Sequence, residues 1–310
     1  MITESNEILP RYPVYIPSKG RWGNMLTANC LTEDGVDFYL VVEKEEVEYY
    51  TESLSKISDL HGNATGTILT LPFSNQGSVI PARNWIKEHS TISGFERHWQ
   101  IDDNIHRFRR VYRYKRIQCS AGIGLRVCED FTDRYENIAV SGLTYEFFVI
   151  PSGKTGYPPF FLNCHVYSTS LILNSLPHKW RFKYNEDTDY CLQVLSDGWC
   201  TVALNAFMAN KCQTTVMTGG NTPNYKEDGR LKMSKDLERV WPYVVRTSRK
   251  FNRPQHHVRG NWKGFDQPLI RKPDIDWKEL DGNVYDMKLV QVRDEVKSDL
   301  LKGFLADEGQ

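Results

Sequence analysis

Two short runs of this chain carry residue types that do chemistry on phosphorylated or hydroxylated substrates. The first is Asp102-Asp103-Asn104, directly after His98-Trp99-Gln100-Ile101, which reads as the end of a buried strand. Two carboxylates and an amide are hard oxygen donors. They suit Mg²⁺ or Mn²⁺, which bind through one or two carboxylates together with the phosphates of a substrate. The second run is Asn185-Glu186-Asp187-Thr188-Asp189, at the head of Tyr190-Cys191-Leu192. A carboxylate there could act as general base on an acceptor hydroxyl. Each run also has a plain structural reading: a polar turn after a strand, and acidic residues favoured by a helix N-terminus.

Cations and amides accompany these acids. Pro17-Ser18-Lys19-Gly20-Arg21 is a loop of backbone donors and cations after a first strand, a place where nucleotide-binding α/β folds grip their ligand. Arg83 and Asn84 follow Ser78 and Pro81, which read as a helix cap and first turn, so both lie near the positive end of that helix. An arginine fork and an amide there could hold a base or a phosphate. His256 and His257 lie in a basic stretch from Arg246 to Lys263 with six Lys or Arg and no acid, and a histidine there could complete a metal site. Residues His106 to Arg116 carry another six Lys or Arg and no acid, interleaved with Phe and Tyr. Cations that neutralise phosphates beside rings that stack bases make this the best nucleic-acid patch, with Arg107, Arg109, Arg110 and Arg113 as contacts.

The elements that must position these residues follow from patterning. Strands are predicted over 12–17, 35–42, 67–71, 95–101, 137–143, 164–173 and 201–204, with helices over 43–56, from 78 onward, from 190 and over 226–245. Continuous apolar content such as Val36 to Val42 argues burial on both faces, as in a parallel sheet. Alternating strand and helix predict a wound α/β architecture, with the acids at the carboxyl ends of strands. Tyr157 to Phe161 reads as an aromatic, proline-stiffened loop and Met217 to Thr222 as a permissive one; both could shape a ligand pocket. The chain is expected to form one domain over 1–270, with 271–310 a charged helical or extended appendage.

Composition is that of an ordinary globular chain, 40% hydrophobic and 25% charged over 310 residues. Its formal net charge is zero, so any nucleic-acid binding must come from local patches. No transmembrane run or leader pattern is visible, which predicts a cytoplasmic protein without membrane partners. The seven cysteines are scattered, with no Cys-x-x-Cys pair, and read as reduced thiols.

Taken in order, Ile16-Pro17-Ser18-Lys19-Gly20-Arg21, Ile80-Pro81-Ala82-Arg83-Asn84-Trp85, Trp99-Gln100-Ile101-Asp102-Asp103-Asn104 and Glu186-Asp187-Thr188-Asp189-Tyr190 resemble the motifs of a GT-A glycosyltransferase. The set is most similar to the phage TET-associated glycosyltransferases, over about residues 11 to 270. The resemblance implies a GT-A-like Rossmann-type domain with a mostly parallel, mixed central sheet flanked by helices. It implies transfer of a sugar from a nucleotide-sugar, usually a UDP-sugar, to the hydroxymethyl oxygen of 5-hydroxymethylcytosine in phage DNA, in the infected host cytoplasm. Pro17, Ser18, Arg21, Arg83 and Asn84 would hold the nucleotide. Asp102 to Asn104 would form the DxD-like element toward ribose and metal (Mn²⁺ or Mg²⁺), with Asn104 in place of the last Asp. That departure leaves Asp103 and Asn104 both open as the ligand. His256 or His257 would be the late metal ligand. Glu186 and Asp187 would be the acceptor-side acids, Asp187 the preferred base. The residues themselves also allow a glycosyltransferase with a protein or glycan acceptor, a nucleotidyltransferase, and a non-catalytic binding module.

Overall fold

The computed structural model describes residues 8–112, 115–150, 157–212, 229–250 and 253–276. The chain opens with β1 (Val14–Pro17), α1 (Leu26–Glu33), β2 (Phe38–Glu43), α2 (Val47–His61), β3 (Gly66–Leu71), α3 (Ile80–Ile92) and β4 (Arg97–Ile101). Strands β1, β2 and β4 are buried almost throughout; apolar content accounts for this in β1 and β2, whereas β4 buries Arg97, His98 and Gln100 beside Trp99 and Ile101. The first three strands add outward in the order β3-β2-β1, and β4 then pairs with the other side of β1, every pairing parallel. The direction of winding therefore reverses between β1 and β4. A crevice opens outside the carboxyl ends of strands at such a switch point. The loop after Pro17 and the acids after Ile101 flank it.

The rest of the sheet differs from the mostly parallel expectation. It is built from β5 (Ile105–Tyr112), β6 (Lys115–Cys119), β7 (Ile138–Tyr145), β8 (Phe160–Leu162), β9 (Thr169–Leu173) and β10 (Cys200–Lys211). Strand β9 lies antiparallel between β4 and β7, β5 and β8 pair antiparallel with β10, and β6 pairs antiparallel with β5; here only β7–β10 is parallel. The basic run is thus a tight hairpin, and charged side chains on its outer strand suit a sheet edge. Gly142 is where β7 and β9 come too close for a side chain, since a Cβ there would collide with the Thr169 carbonyl.

Helix α4 (Ala121–Thr132) covers the sheet beside α1. Its buried Glu129 accepts from the Trp99 indole and from the backbone amides of Arg11 and Tyr12, fastening β4 and the chain entering β1 to one helix. Helices α1 and α4 were not expected. The glycines at 122 and 124 interrupt the helical pattern of α4, and α1 is only eight residues long.

Helix α5 (Glu186–Ser196) packs on β7 and β10. Beyond it, α6 (Gly229–Val240) and the hairpin β11 (Val245–Lys250) and β12 (Arg253–Val258) form a small unit, whose Leu237, Val245 and Val258 share an apolar cluster with Leu192 of α5. Residues 265–272 then run back across the body: Asn163 donates to the Phe265 and Gln267 carbonyls, and Arg271 bridges Tyr135. Residues 277–310, most of the expected appendage, fall outside the described residues, as do Arg113 and Met217 to Thr222. Among the described residues no helix is long and apolar enough to cross a membrane.

Candidate active site

A cavity of about 530 Å³ sits in the crevice, lined among others by Pro17, Arg21, Arg83, Asp102, Asp103, Asn104, Glu186, Asp187 and His256. Residues from the first loop, α3, the end of β4, the start of α5 and β12 are therefore brought together. Ser18, Asn84 and His257 stand apart from this lining. Ser18 is buried behind it, bonded to Tyr50 and Asp103. Asn84 clamps the Trp180 backbone through its amide and carbonyl, fixing the loop before α5. His257 neighbours His256 on β12, and successive strand residues point to opposite faces.

Arg83 is the hub. Its guanidinium donates to Asp102 at 2.9 Å and to Gln100 at 3.1 Å, and lies 3.7 Å from Glu186 and 3.8 Å from Asp187. It also sits over the Trp180 ring at 4.7 Å. Gln100 is held by His98, which is held by Asn174, so a buried relay fixes the guanidinium plane. Burial pushes His98 down to about 3, leaving it a neutral donor and acceptor in this relay. Burial alone would depress the Arg83 guanidinium, but Asp187, Asp102 and Glu186 together hold it firmly protonated.

Lys211, at the carboxyl end of β10, is the second cation. It bonds Asp102 at 2.8 Å, Ser168 at 2.6 Å and the Tyr145 hydroxyl at 3.3 Å. Burial works against its charge, and Asp102 more than restores it. Burial likewise works against the Asp102 charge, but Lys211 and Arg83 outweigh it and keep this carboxyl well below the usual range. Asp103 is paired with Arg21 and accepts from Ser18; burial still raises it. Sequence reasoning missed Lys211, Tyr145, Tyr167 and Ser168. Lys211 is separated from Asp102 by 109 residues and lies in a strand whose legible part ended at Leu204.

The acids of α5 divide by task. Asp189 is fully buried and takes a bidentate Arg181 and the Trp241 indole, so it holds the helix in place. Thr188 meets the Tyr167 hydroxyl at 3.1 Å and the His256 ring at 3.3 Å. Glu186 and Asp187 face the cavity. Burial and then the neighbouring Asp187 push Glu186 up to about 8. Burial also raises Asp187, opposed by Arg83 and Lys211. Two adjacent buried carboxyls share one proton. The pair sits beside two fixed cations, Arg83 and Lys211.

Among the described residues no group of three or more His, Cys, Asp or Glu side chains could hold a metal ion by itself. Oxygen donors are nevertheless spare: Asn104 Oδ1 and Asp187 Oδ1 are buried without a hydrogen-bond partner. Burial pushes His256 down to about 4, so its imidazole is neutral and able to donate a lone pair. These are donors of the kind that a divalent ion shares with substrate phosphates.

Comparison with known proteins bears on the chemistry. Among solved structures, mannose-6-phosphate isomerase from Helicobacter pylori aligns at 8% identity over 85% of this chain and 94% of its own, with a TM-score of 0.30, too low to carry an argument. No curated protein matches. The family model of the TET-associated glycosyltransferases matches residues 12–220, which takes in the first loop, Arg83, the acids after β4, α5 and Lys211. The chain belongs to that family, and its activity class is glycosyl transfer, with modified DNA the acceptor that the family points to.

Proposed function

We propose that this protein transfers a sugar from a UDP-sugar to the hydroxymethyl oxygen of 5-hydroxymethylcytosine in DNA, on a GT-A-type nucleotide-binding core. The observation that carries the reading is one cavity holding a cation pair, Arg83 and Lys211, beside the adjacent carboxyls of Glu186 and Asp187. The cations stabilise negative charge that builds on the departing diphosphate. Asp187 takes the proton from the primary alcohol as its oxygen attacks the anomeric carbon and the bond to the diphosphate breaks. Pro17 and Arg21 border the donor end, and Ser18 acts on it indirectly by holding Asp103.

A divalent Mn²⁺ or Mg²⁺ fits the spare donors. Of the choices left open by sequence, Asn104 and His256 have the available lone pairs, whereas Asp103 is engaged by Arg21 and His257 stands outside the lining. Asp102 is likewise engaged, by Arg83, Lys211 and Ser168, so we infer that Asn104 and His256 would hold the ion together with the substrate phosphates. When bound, such an ion supplies Lewis-acid stabilisation to the leaving phosphate.

The test is release of UDP from a panel of UDP-sugars, with and without DNA containing 5-hydroxymethylcytosine, before and after EDTA. The reading expects release that requires the modified DNA and stops with EDTA. Donor cleavage indifferent to DNA would assign the enzyme to a protein or glycan acceptor. Release of pyrophosphate from a nucleoside triphosphate would replace the reading altogether.

A further inference from the structure

A second cavity of about 340 Å³ adjoins the first, and Tyr145, Phe148, His165 and Tyr167 line both. Its character is different. Rings dominate its wall: Phe161, Trp262 and Phe265 join the shared four, and only Lys263 among its lining residues is charged at neutral pH. The His165 ring stacks on Tyr167 at 4.1 Å and lies 5.8 Å from Trp262. Burial pushes His165 down to about 4, so it too presents an uncharged flat ring. A cavity of this size is at the lower end of small-ligand pockets.

Two polar atoms in this wall lack partners. Asn163 is 3% exposed; its amide donates to the Phe265 and Gln267 carbonyls, while its Oδ1 is buried and unbonded. Thr144 Oγ1 is likewise buried and unbonded.

The surroundings of this cavity indicate its ligand. The turn Glu146–Phe148 forms one lip, with Phe147 76% and Phe148 45% exposed. The same turn is fastened to the basic β5–β6 hairpin: Arg109 and Arg116 both pair with Glu146, and Arg116 also donates to the Glu146 carbonyl. A basic strip therefore borders an aromatic slot that adjoins the cavity of Asp187. That is the layout for a strand whose backbone stays on the strip while one base enters the slot.

We propose that this second cavity receives the acceptor base unstacked from the duplex, held between rings. The assignment rests on the function proposed above and locates the acceptor on the β7–β10 side, away from the donor loop after β1.

The test uses the full-length protein and two duplexes bearing one 5-hydroxymethylcytosine, paired with guanine or opposite an abasic site. Removing the partner base removes most of the cost of extrusion, so binding by fluorescence anisotropy is expected to tighten about tenfold. The Phe161→Ala variant, at a half-exposed ring, is expected to raise KM for DNA by about tenfold or more relative to KM for the UDP-sugar, and Phe161→Trp to restore it. Equal binding of the two duplexes, with transfer to DNA intact, overturns the assignment whether or not Phe161→Ala folds. A rise confined to KM for the UDP-sugar overturns it in favour of a donor nucleoside in the slot. UDP-sugar cleavage with no transfer to any DNA overturns both this assignment and the acceptor proposed above.

Discussion

The two acidic clusters are built from the same side chains and meet in one cavity, yet they are held in opposite states. At the end of β4, every oxygen of Asp102 and Asp103 already has a cation or hydroxyl against it: Arg83, Lys211 and Ser168 on one, Arg21 and Ser18 on the other. At the start of α5, Glu186 and Asp187 have Arg83 only at long range, and Asp187 Oδ1 has no hydrogen bond. The first cluster is neutralised and rigid. The second is poised to exchange a proton. Titratable groups whose surroundings push them apart in this way mark the division between holding and reacting.

The sharpest break in that contrast is Asp187→Asn. Loss of a general base costs about 10²–10⁴ in rate, so transfer to the hydroxymethyl acceptor should fall by that factor while UDP-sugar binding by calorimetry persists. An equal loss of binding would make Asp187 a holding residue like Asp102. Lys211→Met attacks the other cluster. It leaves Asp102 short of a buried partner, and breaking such pairs costs about 3–5 kcal/mol. A melting point that drops by several degrees, with weaker UDP-sugar binding, is expected; an unchanged melt would show Arg83 alone to suffice.

Glu186→Gln sharpens the comparison through pH. The folded protein keeps the Glu186 proton up to about 8, against an ordinary value of 4.5. Between those values the native state binds more protons than the unfolded one, so this group's contribution to stability falls as pH rises. The glutamine variant should therefore match wild type below about pH 5 and melt higher above it, and should lose the decline in activity above pH 8. Parallel pH profiles for the two proteins would remove Glu186 from the pair. The smallest effect is expected on the hairpin: Arg107→Ala or Arg110→Ala should weaken DNA binding evenly across sequences and lower the salt slope by about one per lost phosphate contact.

Much of this was legible beforehand. The winding of β1 to β4 and the positions of the first loop, Arg83 and the acids followed from apolar runs and the residues that end them. Helix α4 was not, because its own glycines mask its periodicity and its place depends on Glu129 reaching β1 and β4. The antiparallel half of the sheet was hidden because β9 is buried on both faces, as a parallel strand is, and ends in the apolar Leu171-Ile172-Leu173.

What the amino-acid order alone determined was which chemistry the chain carries: oxygen donors after one strand, acids at one helix start, cations and rings in one hairpin. Those are properties of residue type and local spacing. Tertiary structure alone decided which charges surround each acid. Lys211 reaches Asp102 only because β10 ends at the same sheet edge as β4, and β12 brings His256 to Thr188 only because its hairpin packs on α5. A carboxyl's protonation depends on burial and on the charges within a few ångströms, and those neighbours come from chain segments far apart in sequence.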